Sequence, residues 1–296
     1  MNARTPLPSP LEGEGPGERG RLEGEGPGER AAPAAEELPT VAARIERHHE
    51  NGVTAEAVAL LDERPVGIVL NGDSYAVMMV TPIDLEDFAL GFMLTEGIVR
   101  ERDDVVGIEV HEQSAREVRG FNVYLQLAPD AWSRAKERPR NLPGFAGCGL
   151  CGARNLETAL HALAPLSGTE LAAAAIESAR AALETRQPLN RATGAAHAAA
   201  LLDATGQVAF VREDVGRHNA LDKAIGAAWR ANVELPQFAA LVTSRASVEL
   251  VEKCMTVGIA QLAAVSAPTA LAVERARACG MVLWGYVRTG RATRYA

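Results

Sequence analysis

Between residues 207 and 287 short apolar runs alternate with helical stretches, and that alternation leaves few folds open to the chain. The pattern predicts strands at 207–212, 239–243, 261–266 and 281–287, with helices at 217–230, 248–256 and 269–278 between them. Runs such as Leu262-Ala263-Ala264-Val265 suit strands buried on both faces. Four strands joined by three helices make a layered α/β domain, with helices covering a largely parallel sheet.

Upstream the pattern changes. Strands are expected at 56–61 and 66–71 around the polar turn Asp62-Glu63-Arg64-Pro65, then at 75–80, 105–110 and 122–127. Thr81-Pro82-Ile83-Asp84 reads as a helix start, with Thr81 as cap and Pro82 in the first turn, for a helix running to about Thr95 and ended by Gly97. This makes a small α+β domain over 41–140, whose end, 133–140, is a polar, basic run leading to the domain at 141–296. Two further helices are expected near 153–163 and 169–184. His197, one residue in an alanine-rich segment, reads as a packed or capping histidine.

Residues 1–40 stand apart. Leu-Glu-Gly-Glu-Gly-Pro-Gly-Glu-Arg occurs at 11–19 and again at 22–30. Glycine, proline and glutamate bury too little surface to offset chain entropy, so a disordered tail is expected. That tail holds eight acids and four arginines, a net of −4 out of the chain's −8. An acidic chain is a poor general binder of nucleic acid. No uncharged apolar run of membrane-spanning length and no apolar signal core appears, which leaves neither a membrane span nor a secretion signal to expect.

Chemistry gathers in two places. The first is Gly147-Cys148-Gly149-Leu150-Cys151-Gly152. A thiol pair on a glycine loop ahead of a helix start meets unpaired N–H groups and the positive dipole end, which favour thiolate, and Arg154 adds a cation. A structural zinc needs two more ligands, and Cys254 and Cys279 lie far downstream without close spacing. A thioredoxin-like oxidoreductase would place the pair after an early strand. Four cysteines in 296 residues do not make a disulfide scaffold, and reduced cytoplasm is the simpler setting. His48-His49-Glu50 matches the H-x-E of zinc deaminases but sits about a hundred residues before the cysteines, which lack the preceding proline, so a deaminase is excluded.

The second is the carboxyl ends of the four strands, where ligands sit in such sheets. Arg212 to Asn219, Thr243 to Ser247, Ser266 to Thr269 and Arg288 to Arg291 carry hydroxyls, arginines and acids, and three of these stretches open a helix. Helix starts with arginines suit phosphate groups. Plainer roles exist for each: Asp214, Ser247 and Ser266 as helix caps, Arg288 and Arg291 as a solvated face, Glu249 and Lys253 as an i, i+4 pair.

Taken together, Gly147–Gly152, Arg212-Glu213-Asp214-Val215-Gly216-Arg217-His218-Asn219-Ala220-Leu221-Asp222-Lys223, Thr243–Ser247, Ser266–Thr269 and the ending Gly290-Arg291-Ala292-Thr293 resemble the formate dehydrogenase accessory sulfurtransferase family, FdhD. Thr81-Pro82 through Leu94-Thr95-Glu96-Gly97 fits as well, and the resemblance covers about residues 50–296. It implies a cytidine-deaminase-like α/β layer with a smaller N-terminal domain. It implies a cytoplasmic, homodimeric sulfur carrier that takes sulfur as a persulfide from a cysteine desulfurase. The sulfur would pass to a molybdenum (or tungsten) bis(molybdopterin guanine dinucleotide) cofactor before that cofactor enters formate dehydrogenase, with no permanently bound metal. The family's persulfide cysteine matches Cys148, with Cys151 sharing or resolving the persulfide. Its cofactor-binding segment matches Tyr286, Val287, Arg288, Thr289, Gly290 and Arg291. Asp214 or Asp222 is then a candidate acceptor for guanine. The chain stops soon after Arg294, which leaves open any family contact from a longer tail. A binding chaperone that shelters the cofactor, with ancillary cysteines, is the competing reading.

Overall fold

A computed structural model of the chain describes residues 38–138 and 165–296. Cys148, Cys151 and the helix expected at 153–163 lie outside the described residues, as does the low-complexity tail up to residue 37. The described chain is a mixed α/β fold with three sheets.

The first sheet is a hairpin of β1 (Thr40–His49) and β2 (Gly52–Leu61), paired antiparallel along its whole length. The second has four strands in the order β4-β3-β6-β5: β3 (Arg64–Leu70), β4 (Asp73–Val80), β5 (Val105–Ala115) and β6 (Val118–Leu127). One face carries Val66, Ile68, Leu70, Val123 and Leu125, all buried against helix α1 (Leu85–Thr95), while Tyr124, Asn122 and Gln113 hydrogen-bond one another on the other. The sheet is mixed, two antiparallel pairs joined by the parallel pair β3–β6, and like most antiparallel sheets it buries one face and leaves the other to polar groups. The part of the polar run at 133–137 lies in α2 (Pro129–Glu137), a helix opened by proline at its first position.

The third sheet has six strands in the order β12-β11-β10-β9-β7-β8. Its strands are β7 (His197–Leu202), β8 (Val208–Asp214), β9 (Ala239–Val242), β10 (Gln261–Ala264), β11 (Val282–Arg288) and β12 (Arg291–Arg294). The expected alternation is present: α5 (Arg217–Arg230), α6 (Val248–Thr256) and α7 (Ala270–Cys279) follow β8, β9 and β10. Two strands depart from expectation. β7 inserts between β8 and β9 and runs antiparallel to both, and β12 folds back on β11. The largely parallel sheet is therefore mixed. β8, β9, β10 and β11 nevertheless all point the same way, because β7 reverses the direction twice.

Alternate residues of these strands feed two apolar layers. Ala199, Leu201, Ala240, Val242 and Leu262 face α5, α6 and α1; Ala198, Ala200, Leu202, Leu241 and Val287 face α3 (Ala173–Thr185). A short helix, α4 (Pro188–Thr193), takes its N-terminal N–H groups to Glu213: Leu189 and Asn190 each donate to its carboxylate at 2.8 Å.

Helices α1 and α5 cross with almost no side chain between them. A Cβ on Gly91 would fall inside the Asp222 carbonyl, and one on Gly226 inside the Asp87 carbonyl. Ion pairs close in on both sides. Asp87 accepts from Arg212 at 2.7 Å and from Arg230 at 2.8 Å, while Asp222 accepts from Lys253 at 2.8 Å and from the Thr95 hydroxyl at 2.8 Å. The crossing joins the four-stranded sheet to the six-stranded one.

Gly91→Ala or Gly226→Ala is expected to cost at least about 2 kcal/mol of stability through forced separation of the two helices. Gly107→Ala, which meets only the Gln126 Cβ at 4.0 Å, is the control and is expected to leave the urea midpoint nearly unchanged.

Candidate functional site

Because β8 to β11 run together, the four polar stretches found in the sequence line one edge of the sheet. They are knitted to each other through the backbone. Thr243 N–H donates to the Ala198 carbonyl at 3.0 Å, and the Thr243 hydroxyl accepts from Ala198 N–H at 2.9 Å. Ala246 N–H donates to Ala267 at 3.2 Å, Thr269 N–H to Ala246 at 3.0 Å, and Tyr286 N–H to Ser266 at 3.1 Å. Thr269, not Ser266, caps α7, accepting from Ala272 N–H at 3.3 Å.

The first of these stretches is committed to the fold. Asp214 has no solvent exposure and pairs with Lys223 at 2.7 Å. It also accepts from Thr81 N–H at 3.0 Å, Gly216 N–H at 2.7 Å and the Asn219 amide at 2.9 Å. Lys223 donates in turn to the Thr81 carbonyl at 2.9 Å. Thr81 therefore does not cap α1. Its hydroxyl accepts from Val215 N–H at 3.0 Å, and α1 begins at Leu85 after Asp84, which sits at φ 54° and makes no side-chain cap. Asp222 is buried and filled by Lys253 and Thr95. Both carboxylates are buried and engaged within the fold, which speaks against the expectation of either as a guanine acceptor.

A different group of side chains is left without hydrogen-bond partners at this edge. At the start of α5, His218 faces Glu249 at the start of α6, with Nε2 and Oε2 3.9 Å apart. Both atoms are buried without a hydrogen-bond partner, as is the Ser247 Oγ. Glu249 does not pair with Lys253, because Lys253 turns to Asp222 across the α5–α6 contact. Burial drives the His218 pKa down from 6.5 to about 3, helped by the nearby Lys253, Arg217 and His197. His197 sits at the same edge, opposite Asp214 in the β7–β8 ladder, and its pKa is also lowered by burial and by Arg217. It is the first residue of a core strand rather than an isolated histidine.

Tyr286 to Arg291 span the end of β11, the two-residue turn Thr289-Gly290 and the first residue of β12. Tyr286 sits at φ 51°, the register shifts between Gly285 and Arg288, and Gly290 turns the chain at φ 70°. The turn is tied to α3: Gly290 N–H donates to Glu177 at 2.9 Å, and Arg180 donates to the Thr289 hydroxyl at 3.3 Å. Val287 is fully buried, whereas Arg288, Thr289, Gly290 and Arg291 are exposed. The Arg291 guanidinium lies 5.7 Å from the Tyr286 ring centroid. Two surface clefts, of about 650 and 670 Å³, lie away from this edge, one lined by Val69, His111 and Tyr124, the other by Arg102, Trp229 and Val257.

Cys254 and Cys279 are buried in the core on α6 and α7, and burial pushes the Cys254 thiol up to about 12. Neither is a reactive thiol at neutral pH. No described helix is long and apolar enough to cross a membrane.

The model of the FdhD/NarQ family matches residues 61–296. The chain belongs to that family. Relatives agree over most of their length. It is 49% identical over 236 residues to the sulfur carrier protein FdhD of Cupriavidus necator, covering 79% of this chain and 81% of that one. It is 47% identical to the Bordetella bronchiseptica protein of that name, over 79% and 84% of the two chains, and 44% identical to the Xanthomonas euvesicatoria one, over 84% and 88%. A crystal structure from Desulfotalea psychrophila, described as a formate dehydrogenase accessory protein, superposes with a TM-score of 0.69, covering 87% of this chain and 97% of that one. At 23% identity, that likeness speaks for the fold.

Asp214→Asn removes the charge partner of a buried lysine and is expected to cost about 3–5 kcal/mol, read as a lower urea midpoint. A variant as stable as the parent would return Asp214 to the candidates for ligand binding. His218 gives a pH signature. Below pH 6.5 the unfolded chain binds a proton that the folded chain refuses until about pH 3, so stability falls with pH through that window. Between pH 6.5 and 5 the loss reaches up to about 2 kcal/mol. His218→Gln is expected to flatten that part of the stability profile, and an unchanged slope would contradict the burial argument.

Proposed function

We propose that the protein is a sulfur carrier serving formate dehydrogenase. Its similarity to proteins named sulfur carriers over most of the chain carries the reading. The Cys148–Cys151 pair supplies the chemistry. In the first step the Cys148 thiolate attacks the terminal sulfur of a persulfide on a cysteine desulfurase. The S–S bond of the donor breaks, Cys148 becomes the persulfide, and the donor cysteine leaves as a thiolate. Cys151 then shares or resolves that persulfide.

The cargo in this reading is the molybdenum bis(molybdopterin guanine dinucleotide) cofactor, which receives the sulfur before it enters formate dehydrogenase. Tyr286, Val287, Arg288, Thr289, Gly290 and Arg291 are its proposed contact segment. In support, two exposed arginines, Arg288 and Arg291, flank a turn hydrogen-bonded to α3, at the same edge as the starts of α6 and α7. Cations beside helix starts suit phosphate groups. We place the transfer in the cytoplasm, where thiols stay reduced, and in a homodimer.

The competing reading, a chaperone with ancillary cysteines, makes a different forecast. Incubation with desulfurase and cysteine is expected to add sulfur to the peptide carrying Cys148, and Cys148→Ala is expected to leave formate dehydrogenase inactive. A chaperone would still deliver active enzyme from the Cys148→Ala, Cys151→Ala double variant, and that result would overturn the carrier assignment. Arg288→Ala with Arg291→Ala is expected to weaken retention of the cofactor while Cys148 still loads.

A further inference from the structure

Among the described strands, β1 and β2 form a two-stranded ribbon separate from both larger sheets. Its base is fastened. Asp62 N–H donates to the Pro39 carbonyl at 2.9 Å, Arg64 donates to the Asp62 carboxylate at 2.9 Å, and β2 touches α4. Beyond that base most of the ribbon is exposed on both faces, with Val41, Val53 and Leu60 at 47%, 55% and 49% exposure. A lone two-stranded ribbon is marginal in water, and independent stability takes three or more strands. This one is nevertheless paired without a break from Thr40 to His49. Among the described residues β1 has β2 on one side and no strand on the other, so its outer edge offers a row of backbone donors and acceptors.

The charges on β1 say what fits that edge. Arg47 is engaged by Glu56 of β2. Arg44 has no acidic partner among the described residues; it stands opposite Ala57, and Glu46, on the same face, stands opposite Ala55. Both are exposed. Two copies of β1 related by a two-fold axis pair antiparallel, and one residue must then meet its own copy, because opposed residues share a face. For Thr40–His49 the overlap is longest when that residue is Arg44 or Ile45. Centring on Arg44 sets two guanidinium groups face to face, and centring on Glu46 or Arg47 likewise opposes like charges. Centring on Ile45 opposes two isoleucines. It also sets Arg44 against Glu46 of the partner subunit, and Glu46 against Arg44 of the partner subunit. Charges on an edge deter indiscriminate pairing. Here they deter every central register but one.

We propose that the outer edge of β1 pairs with β1 of a second copy of this chain, in the antiparallel register centred on Ile45, so that two ribbons join into one four-stranded sheet. The inference rests on the homodimer placed above and gives it an interface. The self-complementary order of Arg44, Ile45 and Glu46 is what favours a second copy over an unrelated strand, which has no need of that symmetry.

Sedimentation of the full-length protein over a range of concentrations tests it. Arg44→Glu and Glu46→Arg each place like charges across the axis twice, and each is expected to raise the dimer dissociation constant about tenfold or more. The double variant restores two opposite-charge pairs and is expected to return the constant to near the parent's. On a Cys148→Ala, Cys151→Ala background, Ile45→Cys is expected to cross-link to its own copy under mild oxidation, while Arg44→Cys is not. Single reversals that weaken association without rescue by the double variant would overturn the register. A dimer that survives both reversals, with no cross-link through Ile45→Cys, would overturn this interface and leave the homodimer standing. A parent that stays monomeric throughout would overturn both, and weaker capture of formate dehydrogenase by Arg44→Glu would then assign the ribbon to that client instead. Sulfur loading of Cys148 is read separately, so the carrier reading stands or falls apart from these results. Thermal melting of each variant controls for folding.

Discussion

Lys223 and Asp214, paired at 2.7 Å with no exposure on either side chain, hold the point where the two halves of the fold meet. Asp214 ends β8 and Lys223 lies on α5, yet both also bind Thr81, which closes the four-stranded sheet and leads into α1. One buried charge pair thus bonds to backbone from three elements. A lone charge in that position would face a large desolvation cost, and the added N–H donors and carbonyl acceptors offset it. Gly91 and Gly226 let the helices come close enough for these short bonds, and Asp87 and Asp222 repeat the arrangement farther along the crossing.

Fixing β8 and α5 in this way fixes the sheet edge. The loop after β8 cannot move without breaking the Asp214 bonds, and the loops after β9 and β10 are chained to each other through Ala246, Ala267 and Thr269. A rigid rim of this kind is a sound base for a binding site, since ordered groups need not be reorganised when a ligand arrives. It also separates the polar residues by role. Those turned inward hold the fold together; His218, Ser247 and Glu249 are left with bonds to make.

Much of this was legible in the sequence where local signals agreed with the fold. The bounds expected for α5 and α6, 217–230 and 248–256, match the structure. The co-directional strand ends were also foreseen. β7 was missed because His-Ala-Ala-Ala-Leu-Leu lacks β-branched residues and, buried on both faces, shows no alternation. The exposed four-residue β12 and the mostly exposed β1 gave no strand signal either, being defined by pairing with β11 and β2. Thr81 looked like a cap, and Glu249 and Lys253 like a helix pair, because short-range rules see only their own segment. In both cases a partner more than thirty or a hundred residues away in sequence won: Asp222 took Lys253, and Asp214 took Thr81.

If the Asp214 junction and the glycine crossing hold the two larger sheets together, the two sheets must unfold as one. Native-state hydrogen exchange on the unmodified protein tests this most directly. Core amides of β3 and β6 are expected to exchange with the same opening free energy as those of β9 and β10, equal to that of global unfolding. Exchange of β3 and β6 through a separate, lower-energy opening while β9 and β10 stay protected would contradict the account.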